Sequence, residues 1–85
     1  MSAFLASLAE LDRAALIRPQ GRILRAVGLT VEARAPGVAV GDLCRLETPE
    51  PVLAEVAGFR DGRALLVPLS EPHGLRPGTV VTPLG

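Results

Sequence analysis

The first eighteen residues carry apolar side chains at helical spacing, with polar side chains largely between them. The apolar positions recur every three to four residues, the period of an amphipathic helix, and they are Phe4, Leu5, Leu8, Leu11 and Leu16. Ser2 is suited to cap the start of such a helix, and Pro19 stops it. The pattern therefore predicts one α-helix over residues 1–18.

After residue 20 the pattern changes to short apolar and polar alternations separated by glycine and proline. Strands are predicted over residues 22–27, 29–34, 43–48, 52–60, 63–69 and 79–83. In the second strand, Leu29, Val31 and Ala33 are predicted to share one face. The Asp61-Gly62 dipeptide between two apolar runs is the strongest hairpin indicator in the chain. Six short strands predict a mainly β fold, a small closed barrel over residues 21–85, because closure removes unpaired edges.

The amino-acid composition excludes some classes of function and favours others. The chain has 85 residues, enough for one domain, with nine basic and nine acidic side chains and a net charge of +0. Only 2 % of residues are aromatic, so neither the charge nor the stacking platform of a nucleic-acid module is present. The hydrophobic fraction of 48 % is high for so small a domain. A protein partner or a self-interface is therefore expected.

The side chains that carry most catalytic chemistry are scarce. The chain has no lysine and no tyrosine, so it lacks a phosphate-loop lysine and a Schiff-base lysine. Cys44 is predicted to be a small buried hydrophobe, and His73 an exposed loop residue. The dispersed carboxylates, among them Glu47 and Glu50, are predicted to be solvated. We predict no catalytic, cofactor-binding or metal site here, no membrane span and no signal peptide, and thus a cytoplasmic protein.

Five stretches resemble the N-terminal barrel of the flagellar and type III secretion ATPases, relatives of the catalytic subunits of rotary ATP synthases. They are residues 21–33 (GRILRAVGLTVEA), 35–44 (APGVAVGDLC, similar to PGVxxGELC), 54–59 (AEVAGF, similar to AEVVGF), 65–78 (LLVPL, then GLRPG) and 81–85 (VTPLG, similar to VxPTG). Asp42, Ala57 and Leu84 depart from these patterns. The order and spacing of the stretches together are specific, although no single one is diagnostic.

The resemblance implies a non-catalytic fragment of an export ATPase. The parent would form a hexameric ring, hydrolyse ATP with magnesium in a domain absent here, and help to release export substrates from chaperones. The resemblance also implies that the N-terminal helix binds a peripheral-stalk regulator of the export apparatus.

Two alternatives stay open at this stage. The stripe formed by Phe4, Leu5, Leu8, Leu11 and Leu16 either packs on the chain's own barrel or inserts into a groove of another protein. The barrel is either part of an ATPase or a free-standing module that binds a protein or a ligand. A phosphate loop of the GxxxxGK[ST] type downstream of Gly85 would favour a barrel that is part of an ATPase.

Overall fold

The computed structural model describes residues 19–85, which form six β-strands. The strands are β1 (Gly21–Val27), β2 (Thr30–Arg34), β3 (Leu43–Leu46), β4 (Val52–Arg60), β5 (Arg63–Pro68) and β6 (Val80–Pro83). Each corresponds to a predicted strand, with ends shifted by at most two residues. The helix predicted over residues 1–18 lies outside the described residues.

The strands close into a barrel in the order β1-β2-β5-β4-β3-β6, and all neighbours are antiparallel. The seam between β1 and β6 consists of two register pairs, Gly21 with Val81 and Arg22 with Val80. The predicted fold class, a closed six-stranded barrel, is thus confirmed. Among the described residues, each strand pairs with a neighbouring strand on both of its sides, so none is an open edge strand.

The antiparallel order divides the connections between two ends of the barrel. The turn at residues 28–29, the connection 47–51 and the long loop 69–79 lie at one end, which we call the loop end. The chain enters β1 at the opposite end and leaves β6 there as well, and we call this the terminal end. The connection 35–42 and the Asp61-Gly62 turn also lie at the terminal end.

The core is built from small and medium apolar side chains that alternate along the strands. Its members are Ile23, Val31, Ala33, Ala35, Cys44, Leu46, Ala54, Val56, Ala64, Leu66 and Val81. Alanines at three strand positions leave room for the leucines and isoleucine that fill the narrow interior. Cys44 is buried, as predicted, and His73 is exposed, also as predicted.

One side-chain orientation was predicted wrongly. Val31 and Ala33 are buried, but Leu29, expected on the same face, is 90 % exposed. The reason is that Gly28 and Leu29 form the turn between β1 and β2, where Gly28 has a φ of 61°. Leu29 therefore projects from the loop end and does not continue the alternation of β2.

Candidate interaction surface

The side chains that the sequence predicts as a partner site precede the barrel. Phe4, Leu5, Leu8, Leu11 and Leu16 all lie outside the described residues, so the docking stripe stays a prediction. The candidate surface in residues 19–85 is therefore the outside of the barrel and its two ends.

Catalytic and metal-binding chemistry is sparse within this part of the chain. Among residues 19–85, no group of three or more His, Cys, Asp or Glu side chains is placed to hold a metal ion. Over the same residues, every buried side-chain nitrogen or oxygen has a hydrogen-bond partner. No helix in this range is long and apolar enough to span a membrane.

Glu32 is the centre of an ionic cluster on the outside of β1, β2 and β5. Its side chain is only 8 % exposed, and it accepts a hydrogen bond of 2.7 Å from Arg25 Nε. Arg63 Nη1 lies 3.5 Å from its other carboxylate oxygen. The hydrogen bond from Arg25 lowers the pKa of Glu32, and Arg63 acts in the same direction, while desolvation opposes them. The carboxylate is therefore held ionised between two guanidinium groups.

Glu47 forms a second ionic cluster, which bridges the neighbouring strands β3 and β6. It accepts a hydrogen bond of 2.6 Å from the Thr82 hydroxyl and one of 2.9 Å from Arg45 Nε. Its side chain is 28 % exposed. The Thr82 hydroxyl is the largest cause of a lowered pKa for Glu47, and Arg45 adds to the effect against desolvation.

The prediction that the carboxylates are simply solvated is therefore wrong for these two. Glu47 directly follows the end of β3 and comes two residues after Arg45, so the extended chain brings the two side chains to the same side, and this spacing was a usable signal in the sequence. No comparable local signal marks Glu32, since Arg25 and Arg63 come from two other strands and only the register brings them to it.

An apolar cavity of about 510 Å³ opens at the loop end. Ala26 and Val31 form its inner wall, and Pro68 and Leu75 line it from β5 and the 69–79 loop. Leu29 stands at its rim. Leu29 and Leu69 are large apolar side chains that are exposed at this end of the barrel.

These features define a small antiparallel six-stranded barrel with ionic clusters on its outside. The family model for the "ATP synthase alpha/beta family, beta-barrel domain" matches residues 23–85, most of the chain. The chain therefore belongs to the ATP synthase alpha/beta family, in which it is a barrel domain of the type that precedes the rest of the flagellar and type III secretion ATPases.

Three relatives illustrate this similarity. An uncharacterized 12.2 kDa protein of Yersinia enterocolitica is 42% identical over 73 residues, which are 82% of this chain and 66% of that protein. The flagellum-specific ATP synthase of Pseudomonas aeruginosa is 41% identical over 70 residues, 76% of this chain and 16% of that protein. The type 3 secretion system ATPase of Pseudomonas syringae pv. tomato is 34% identical over 79 residues, 91% of this chain and 18% of that protein. The chain thus spans less than a fifth of the two named ATPases.

Proposed function

We propose that this barrel is the N-terminal oligomerisation and docking module of a type III protein export ATPase. Its closed hydrogen-bonding pattern and its entry and exit at one end support this role most directly. A barrel built in this way forms a compact cap on the domain that follows, and it leaves its loop end free for contacts. In the parent protein, six such barrels would form the crown of a hexameric ring.

The enzymatic activity belongs to the parent protein in this proposal. The parent would bind ATP and magnesium in its following domain and use hydrolysis to support chaperone release and substrate export. The present chain carries no lysine for a phosphate loop. We therefore expect calorimetric titration with magnesium-ATP to give no saturable binding to this chain, and micromolar binding would contradict the proposal.

The partner of the N-terminal segment would be the peripheral-stalk regulator of the export apparatus. Two sequence features support this assignment: the apolar stripe ends before the region matched by the family model begins, and Pro19 and Gln20 separate the two. A regulator bound there would hold the ring at the cytoplasmic face of a membrane-embedded secretion apparatus.

The docking proposal is tested by the double substitution Leu8→Asp and Leu11→Asp. Burial of each leucine against a partner contributes roughly 1.5–3 kcal/mol before ordering costs. The double variant should therefore bind the cognate stalk regulator at least tenfold more weakly in a titration, since about 1.4 kcal/mol corresponds to tenfold. The matched control is Arg13→Asp, a charge change away from the stripe, which should bind within twofold of the unaltered chain.

Thermal unfolding separates docking from packing on the barrel. If the stripe docks on a partner, both the double variant and a chain lacking residues 1–18 should unfold at nearly the unaltered temperature. A large loss of barrel stability would assign the stripe to the chain's own core. Unchanged binding of the double variant would remove the docking role.

A second candidate function is supported by the Yersinia relative. That 12.2 kDa protein is much shorter than the ATPases, because 73 matched residues are 66% of it, whereas 70 matched residues are 16% of the Pseudomonas aeruginosa protein. A barrel of this kind acting alone would be a free-standing module that binds a protein or a ligand. The coding sequence beyond Gly85 distinguishes the two: a GxxxxGK[ST] loop supports the ATPase module, and a stop codon supports the free-standing one.

A further inference from the structure

A row of four arginines crosses the outside of the barrel at its terminal end. Arg22 and Arg34 are register partners on β1 and β2, and Arg60 and Arg63 are register partners on β4 and β5. The two pairs are joined because Ala33 opposes Ala64, which places Arg34 opposite Arg63. The four arginines therefore lie side by side on adjacent strands, in the order Arg22, Arg34, Arg63, Arg60. We call this set the arginine row.

All four side chains face outward. The residues next to them along the strands, such as Ile23, Ala33 and Ala64, are buried in the core, and side chains alternate between the faces of a strand. All four arginines are exposed. Neighbouring strands are spaced about 4.8 Å apart, so the row presents a guanidinium on each of four strands over roughly 14 Å.

The row is unfavourable for the barrel alone. Like charges directly opposite each other on neighbouring strands destabilise a sheet. Arg63 reaches Glu32 at 3.5 Å, and Arg22 donates to the Gly78 carbonyl at 3.2 Å. Within residues 19–85, neither Arg34 nor Arg60 forms an ion pair. The fold thus holds adjacent cations that its own carboxylates do not neutralise.

The remaining charges limit what could cover the row. The chain has a net charge of +0, so the acidic side chains elsewhere cancel the row at long range. At physiological salt the screening length is about 8 Å, so only a ligand in local contact experiences the row as cationic. A broad polyanion, such as a membrane surface or a duplex, would also meet the other carboxylates. A narrow acidic segment could contact the row while avoiding most of them, with Glu32 already paired to Arg25 and Arg63 and Asp61 at one end of the row.

We propose that the arginine row binds an acidic segment of another polypeptide. Carboxylates three or four residues apart on one helix face are separated by about 5–6 Å, close to the strand spacing. Planar guanidinium groups bind carboxylates bidentately, which favours arginine in this role. Residues 1–20 of the chain do not fit, because their two acidic side chains, Glu10 and Asp12, are matched by two arginines. This proposal stands independently of the stalk-docking function.

The probe for the test is a labelled alanine-based helical peptide. Its glutamates repeat at three- and four-residue intervals along one face, and a matched peptide carries glutamine at those positions. Fluorescence anisotropy at low and at physiological salt measures binding to the whole 85-residue chain. The chain should bind the glutamate peptide and not the glutamine peptide, and the affinity should fall as salt rises.

The informative variant is Arg34→Gln with Arg60→Gln, which removes the two row members that form neither an ion pair nor a side-chain hydrogen bond within residues 19–85. Loss of two exposed guanidinium–carboxylate contacts should weaken binding by about tenfold. The matched control is Arg76→Gln, an exposed arginine of the 69–79 loop that lies outside the row, and its affinity should not change. The melting temperature of the double variant should rise, because a like-charge repulsion is removed.

Four outcomes would overturn the proposal. The first is equal peptide binding by the unaltered chain and the double variant, and the second is a lower melting temperature of that variant, which would make the row structural. The third is row-dependent binding of a single-stranded RNA or of phosphatidylserine vesicles as tight as that of the peptide. The fourth is sedimentation showing that the row joins copies of this chain. Failure of the stalk-docking variants would leave all four readouts unaffected.

Discussion

The two ionic clusters lie on different sides of the barrel, and they differ in how completely they neutralise themselves. On the β3 and β6 side, Glu47 is matched by Arg45 of β3 and by the Thr82 hydroxyl of β6. On the β1, β2 and β5 side, Glu32 is shared by Arg25 and Arg63, and further arginines lie beside them. The charged groups of the Glu47 cluster are therefore paired with each other, while on the other side Arg34 and Arg60 form no ion pair within residues 19–85. The comparison separates charges that support the fold from charges that are available to a ligand.

The largest expected effect comes from the buried core, which lies beneath both ionic clusters. It tests whether the difference between the Glu32 side and the Glu47 side is confined to the surface charges. Leu46 lies on β3 and Leu66 on β5, and both are fully buried. Leu46→Ala and Leu66→Ala should each lower the free energy of unfolding by about 2–5 kcal/mol. Chemical denaturation measures both. If the losses of unfolding free energy for the two variants differ by more than about 3 kcal/mol, the packing of the core differs between the two sides of the barrel.

The next effect concerns the backbone on which the arginine side is built. A Cβ at Gly21 would lie 2.3 Å from the Arg34 carbonyl oxygen, a backbone atom, whereas a Cβ at Gly58 would meet nothing within 4 Å. Gly21→Ala should therefore destabilise the barrel by about 1–3 kcal/mol, because β1 must shift from β2. Gly58→Ala on β4 is the matched control and should be nearly neutral in the same denaturation experiment.

Acid should destabilise the barrel through both ionic clusters, because the carboxylates of Glu32 and Glu47 are held ionised in the folded state. The folded-state pKa of Glu32 and of Glu47 is lowered from an ordinary value of 4.5. Their stabilisation is therefore present above about pH 4.5 and is lost as the pH falls through the lower folded-state values. Melting curves between neutral and acidic pH should show this decline.

Single substitutions assign the acid effect to each cluster. Glu32→Gln and Glu47→Gln should each flatten the decline, and Glu71→Gln, an exposed loop carboxylate, should not. We expect the larger change at Glu32, because two guanidinium groups favour its charged form. A larger change at Glu47 would contradict this expectation and would show that the Glu47 cluster contributes more to the acid dependence.

The smallest effect is expected at the hydroxyl that completes the β3 and β6 side. Thr82→Val removes the donor of the 2.6 Å hydrogen bond to Glu47 and keeps the shape of the side chain. The melting temperature should fall by an amount that corresponds to about 1 kcal/mol. Thr79→Val is the matched control in the 69–79 loop, where the hydroxyl accepts from the Arg76 backbone N–H at 3.1 Å and, among the described residues, forms no hydrogen bond with a carboxylate. An unchanged melting temperature for Thr82→Val would leave Arg45 as the only support of that carboxylate.

The sequence predicted the barrel because its evidence is local. Alternation along each strand and the Asp61-Gly62 dipeptide act within a few residues, and the positive φ of both turn residues agrees with the predicted hairpin. The Glu32 cluster and the arginine row were missed because they depend on register between strands, whereas the Arg45–Glu47 pair had a local signal that was not used. Arg34 and Arg63, for example, are neighbours only because β2 pairs with β5. The N-terminal stripe stays a prediction, since its residues precede the described part.

The shared entry and exit of the chain at the terminal end determine how the barrel would respond to mechanical load. If the segments before Gly21 and after Gly85 are pulled apart, the force acts across the seam of β1 and β6 and not along the strands. Only two register pairs join these strands, so the seam would be loaded one pair at a time, as in the opening of a zipper. The bonds between Ile23 and the Gly78 and Thr79 backbone would be strained next. Once the bonds of Leu84 and Gly85 to Leu43 have opened, the barrel is thus expected to yield to tension first at the boundary between β1 and β6.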